Sequence, residues 1–195
     1  VVDGFKLSGY CFRRCERVAG AALRCGYGRQ DRMQIKGEKR LQRRALLMRI
    51  LCELGGEVLT FPRMQQEKRY IQHGKISCFA HSLAVAYVSV WIAARLHIRV
   101  HMKSLVRGAL LHDYFLYDWH DPDPSHRLHG FHHARRALEN ASQDFALTPI
   151  EQDIIVKHMF PLTLWPPKYR EAVIVTCADK FCAACEVFSF VSWIL

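Results

Sequence analysis

From residue 39 onwards, apolar positions recur at three- and four-residue intervals, and no run alternates long enough to make a strand. Leu41, Ala45, Met48 and Cys52 mark one face of a helix over Lys39–Leu54, and Gly55-Gly56 reads as its stop. Pro62 marks a bend, and residues 65–72 add another turn or two of helix before His73-Gly74. Ser77 is placed to cap a helix ending near Leu96, and a further helix covers Lys103–His112. Prolines and aspartates exclude regular structure over Tyr114–Leu128, a loop long enough to be read as functional or disordered. Helix returns over Phe131–Phe145, with Ala134, Ala137, Leu138 and Ala141 inside. Thr148-Pro149-Ile150-Glu151 has the form of a capping box with proline at the first helical position, opening a helix to His158. After Pro161, Pro166 and Pro167, a last helix runs to Val187, with Ala172, Val173, Val175 and Thr176 leading to Asp179. The body is therefore predicted to be all-α, a helical bundle.

The stretch Ile76–Ala94 carries no Asp, Glu, Lys or Arg, and its length is near the ~20 residues of a spanning helix. His81, Ser77, Ser82 and Ser89 within it, and the lack of a second such stretch, favour a buried core helix over a transmembrane span.

Charge divides the chain. Residues 1–49 hold 13 Lys+Arg against 4 Asp+Glu, and the rest is nearly balanced at 15 against 14. The glycines at 4, 9, 20, 26, 28 and 37 interrupt any long helix there. Residues 1–45 are read as a basic, poorly ordered extension and residues 46–195 as the folded domain. The extension is placed to touch nucleic acid or an acidic membrane, or to serve as an Arg-rich targeting peptide. The plain solvated reading is preferred, because no aromatic residues interleave with its arginines as stacking on bases requires. The first twenty residues lack an apolar core, so no secretory signal is evident, and a cytoplasmic chain with reduced thiols is expected. Cys182-Ala-Ala-Cys185 then reads as part of an apolar helix rather than as a redox or zinc pair. The apolar end, Phe190–Leu195, reads as the start of a longer helix or a docking segment.

All 11 histidines lie between His73 and His158. At Leu110-Leu111-His112-Asp113 an apolar helix delivers two metal-ligand types side by side to its end. A buried carboxylate next to an imidazole is costly unless a cation or partner compensates it. His81 lies upstream, and His133, His158 and Asp179 downstream, each in or at the end of a separate predicted helix. His129 and His132 are rivals to His133. Taken singly, each has a plain alternative: a core histidine, a helix-end residue, an aspartate paired with Lys180. Taken together they are the set a metal site between helices needs.

The order His81, His112-Asp113, Asp179 resembles the HD-domain superfamily of metal-dependent phosphohydrolases, over roughly His73–Glu186. His133-Ala134-Arg135-Arg136-Ala137 and His158 after Ile154-Ile155 resemble the further ligands of its two-metal members. The resemblance implies one or two divalent ions, with Fe, Mn, Mg, Co and Zn not distinguished. By that similarity His81, His112, Asp113 and Asp179 would hold one ion, and Asp113 would bridge to a second held by His133 and His158. The implied activity is hydrolysis of a nucleotide or other small phosphate ester. Some two-metal relatives place a Lys soon after the His-Asp pair; here no Lys occurs between Asp113 and Lys157. Asp118, His120 and Arg127 are the substitutes, Asp118 and His120 beside Asp113 as catalytic candidates. Arg127 and Arg135, with Arg136, are the candidates for orienting phosphate. The alternatives are a di-iron oxygenase using the same ligands and a non-catalytic metal-binding module.

Overall fold

The computed structural model describes residues 29–119 and 129–187. The expectations for residues 1–28, for loop residues 120–128 with His120 and Arg127, and for the apolar end lie outside the described residues. The chain divides into two units, Val1–Arg44 and Ala45–Leu195.

Seven helices and one short hairpin are described: α1 (Arg29–Leu59), α2 (Pro62–Gln66), β1 (Ile71–His73), β2 (Ile76–Ser77), α3 (Cys78–Arg95), α4 (Met102–Leu111), α5 (His129–Asp144), α6 (Pro149–Lys157) and α7 (Arg170–Val187). The fold is all-α, as predicted.

Helix α1 departs from the expectation in three ways. It begins at Arg29, before the apolar periodicity starts, in a stretch rich in the good helix formers Arg, Gln, Lys, Glu and Met. It runs through Gly55-Gly56 to Leu59 instead of stopping there. Its buried face is Leu47, Leu51, Gly55 and Val58, whereas Leu41, Met48 and Cys52 are exposed. One cause underlies the last two. A Cβ on Gly55 would lie 2.5 Å from Leu110 Cδ1 and 3.0 Å from Val106 Cγ1. The missing side chain lets α1 lie close against α4, and so fixes which face turns inward.

Of residues 65–72, only Gln65 and Gln66 are helical, as the end of α2. β1 and β2 pair antiparallel around Gly74, whose φ of +58° is a conformation glycine adopts without strain. Ser77 follows β2 and caps α3, its side chain accepting the Ala80 N–H at 3.3 Å.

Helix α3 is long and apolar enough to cross a membrane by composition, but 56% of it is buried. It packs on α4 and α7, while α4 also packs on α6, and α6 on α5 and α7. Leu105, Leu110, Leu111, Ile154 and Ile155 are fully buried in the centre. Each such side chain stabilises by roughly 1.5–3 kcal/mol. The capping box of α6 is formed: Thr148 Oγ1 accepts the Glu151 N–H, and Glu151 accepts the Thr148 N–H at 2.7 Å. Glu151 also receives Arg107 Nε at 2.9 Å, and Arg107 reaches Glu57 and the Ala146 carbonyl. This buried guanidinium ties α4 to α1 and to the start of α6.

Gly108 is the second close crossing. A Cβ there would meet Ile154 Cδ1 at 2.5 Å and its Cβ and Cγ2 at 3.1 Å. Gly108→Val is expected to destabilise by about 1–3 kcal/mol through overpacking. A urea unfolding midpoint unchanged from wild type would show that Ile154 moves aside without cost.

Candidate metal centre

Five helices bring the candidate ligands to one buried point. His81 lies one turn into α3, whose start is fixed by the Ser77 cap. His112 and Asp113 sit in the turn that ends α4. His133 is on the first turns of α5, His158 directly follows α6, and Asp179 is midway along α7. Side-chain exposure is 0% for His81 and His112, 2% for Asp113, 4% for His133, 1% for His158 and 12% for Asp179. His132, the neighbour of His133, is exposed. The side chain of His129 lies outside what is described.

The two oxygens of Asp113 face different imidazoles. Oδ2 lies 3.3 Å from His112 Nε2 and 3.7 Å from His81 Nε2. Oδ1 lies 3.4 Å from His133 Nε2 and 3.5 Å from His158 Nε2. Asp179 Oδ1 completes the first group, 3.1 Å from His81 Nε2 and 3.6 Å from His112 Nε2. His133 and His158 approach each other at 2.9 Å, Nε2 to Nε2.

Groups outside the cluster fix which nitrogen carries the proton in three of the four rings. His112 Nδ1 donates to the Ala109 carbonyl at 2.8 Å, and His158 Nδ1 to the Ile155 carbonyl at 2.8 Å. His81 Nδ1 faces the Glu186 carboxylate at 2.9 and 3.1 Å. The Nε2 lone pairs of these rings are thereby left for the centre, as in metal-bound imidazoles. His112 Nε2 and Asp113 Oδ1 are buried without a hydrogen-bond partner. Such atoms are costly unless something else satisfies them, and a cation does. Three overlapping groups have donor atoms close enough to share an ion: His81, His112 and Asp113; His112, His158 and Asp179; Asp113, His133 and His158. The residues fit a metal.

A family model described as HD domain matches residues 78–184. The chain belongs to the HD-domain family. Its superfamily consists largely of metal-dependent phosphohydrolases, and HD domains bind divalent metals. No curated protein and no solved structure matches the chain.

The HD domain thus brings together all six predicted ligands. Of the other candidates, His120 and Arg127 lie outside the described residues. Asp118 is half-buried and near enough to Cys78 for its charge to raise that thiol. Arg135 is exposed and pairs with Glu139 at 3.3 Å. Arg136 is exposed too, but its charge reaches Tyr117 in the segment after Asp113.

Four supporting residues were not foreseen. Glu186 lies seven residues after Asp179, two turns along α7, a spacing that puts both on one face. Asn140 lies the same distance after His133, and its Nδ2 donates to the carbonyls of Tyr114 and Phe115 at 3.1 and 3.0 Å. That clamps α5 to the chain leaving Asp113. Gln72 donates to Asp113 Oδ2 at 2.6 Å. Glu67 is fully buried and accepts the Leu116 N–H at 3.3 Å. Burial, helped by the charge of Asp113, pushes its carboxyl well above the usual range. Nothing in the spacing around Gln72 or Glu67 marks either one.

Without metal, protons stand where cations would. His81 is raised from 6.5 to about 9: burial opposes its charge, and the Asp179 and Glu186 carboxylates outweigh burial. His112 is raised in the same way, chiefly by the charge of Asp113. Asp113 and Asp179 are held well below the usual carboxylate range, the imidazoles overriding burial. Burial lowers His158, which stays neutral. Because the folded value of His81 exceeds the unfolded one, its stabilisation is complete below pH 6.5 and is lost as pH rises through about 9. Metal uptake must displace that proton, so its pH dependence has the opposite sign. The Tm of the metal-free protein is expected to fall across this interval while metal affinity rises. A metal-free Tm that climbs over the same range would contradict the assignment.

Proposed function

We propose that the chain is a metal-dependent phosphohydrolase acting on a nucleotide or another small phosphate ester. The observation that supports this reading best is the Asp113 carboxylate, with one oxygen towards His81 and His112 and the other towards His133 and His158. A carboxylate so shared suits a pair of ions. His81, His112, Asp113 and Asp179 would hold one, and Asp113, His133 and His158 the other. Bound divalent ions supply a water of near-neutral pKa and stabilise charge on phosphoryl oxygens. The chain's part is to fix the imidazoles in their metal-binding tautomer and to keep the ligand atoms away from bulk water. Asp118 is the described group best suited to return a proton to the leaving oxygen. Arg136, whose charge reaches the segment after Asp113, is better suited to orient phosphate than Arg135, which is engaged by Glu139.

The test is phosphate release from nucleotides and sugar phosphates by full-length protein loaded in turn with Mg, Mn, Co, Zn or Fe. Release that needs an added ion and stops with a chelator is expected. No release from any of these substrates, with any ion, would sink the proposal. Four imidazoles and a shared carboxylate also suit a di-iron pair that activates oxygen. Oxygen uptake by the iron-loaded protein without phosphate release would favour that second reading.

A further inference from the structure

We infer that Gln72 is a positioning residue that, held by the Cys78 thiol, sets the orientation of Asp113 and thereby lets that carboxylate serve two ions. The inference rests on the two-ion reading above. Gln72 lies before the family-matched segment, in β1, and reaches the centre through an irregularity in the ladder. Ile71 pairs with Ser77 and His73 with Ile76, with a register shift between them at Gln72. Such bulges re-aim a side chain. Here the residue is 7% exposed and its side chain enters the interior, where Nε2 donates to Asp113 Oδ2 at 2.6 Å. Its Oε1 accepts from the Cys78 thiol at 3.4 Å. The backbone at Cys78 is itself fixed, its N–H donating to the Tyr70 carbonyl at 2.9 Å.

The chemistry allows the amide one orientation. An ionised carboxylate only accepts, so it must face the NH2 group, and the thiol, a donor, faces the amide oxygen. Burial pushes the Cys78 thiol far up, so it remains S–H and never reverses the order. One lone pair of Asp113 Oδ2 is thereby committed to Gln72, leaving the other for the His81–His112 side. Rotation of the carboxylate that would turn both oxygens to one ion breaks the bond to Gln72. So held, the carboxylate keeps one oxygen towards His81 and His112 and the other towards His133 and His158, the orientation in which it would serve two ions.

The experiment is a Mn(II) titration of the full chain, with the unfolding temperature of the metal-free form measured alongside. Gln72→Met keeps the length and burial but has no donor. It is expected to weaken Mn(II) binding by roughly ten- to hundredfold, with the metal-free form still folding cooperatively, at a somewhat lower unfolding temperature. Cys78→Ala should weaken binding in the same direction, and Cys78→Ser, which restores a donor, should recover it. Because Cys78 acts through Gln72, adding Cys78→Ala to Gln72→Met should cost nothing further. Wild-type affinity in Gln72→Met, or additive losses in the double variant, would overturn the inference while leaving the metal centre intact. Should Gln72→Met fail to fold, the two Cys78 variants decide, and equal affinities in them overturn it. A wild-type chain that takes up no Mn(II) overturns the metal centre and this inference together.

Discussion

Replacing Asp113 by alanine is expected to abolish turnover, by roughly a thousandfold or more, and to strip at least one metal ion from the chain. The magnitude follows from the several kcal/mol that a polarising cation contributes at a phosphoryl centre, each ~1.4 kcal/mol being tenfold in rate. Asp113 is expected to matter more than any other ligand because its two oxygens face the two groups of imidazoles. Without it, two cations would face each other with no negative charge between them. The fold should survive, since the neighbouring apolar residues Leu110, Leu111, Tyr114 and Phe115 remain buried. Metal analysis and phosphate release on the same preparation check both halves. An Asp113→Ala protein that keeps two ions and its activity would remove the basis of the account.

His133→Ala and His158→Ala should each lower the metal content from two ions per chain towards one, with activity falling by at least about a hundredfold. His81, His112, Asp113 and Asp179 are enough for one ion, so these two histidines carry the case for the second. Both are buried, both point Nε2 at Asp113 Oδ1, and His158 is oriented by the Ile155 carbonyl. His132→Ala, one residue along the same helix but exposed, is the control and should change nothing. Loss of metal in His132→Ala, or full metal in both His133→Ala and His158→Ala, would show the site to be organised differently.

The candidate ligand set was legible because each member is attached to a helix whose apolar face could be read, and a side chain on a buried face must point inward. The capping box at Thr148 and the Ser77 cap fixed two helix starts from residue type alone. Glycine misled where it was read as a stop. At Gly55 it serves a close helix crossing, and a sequence offers the same letter for both uses. The error also put Leu41, Met48 and Cys52 on the inner face of α1 in place of Leu47, Leu51 and Val58. The hairpin at residues 71–77 escaped notice because its strands are too short to alternate. Gln72 escaped with it, since its role depends on a bulge in that pairing. Glu186 could have been found, being seven residues from Asp179 on one helix.

The most direct test of the two-ion centre is a metal titration of the wild-type full chain, counted as ions bound per chain after removal of excess. Saturation at two ions is predicted, with tighter binding as pH rises. Saturation at one ion, or no uptake at all, would contradict the account.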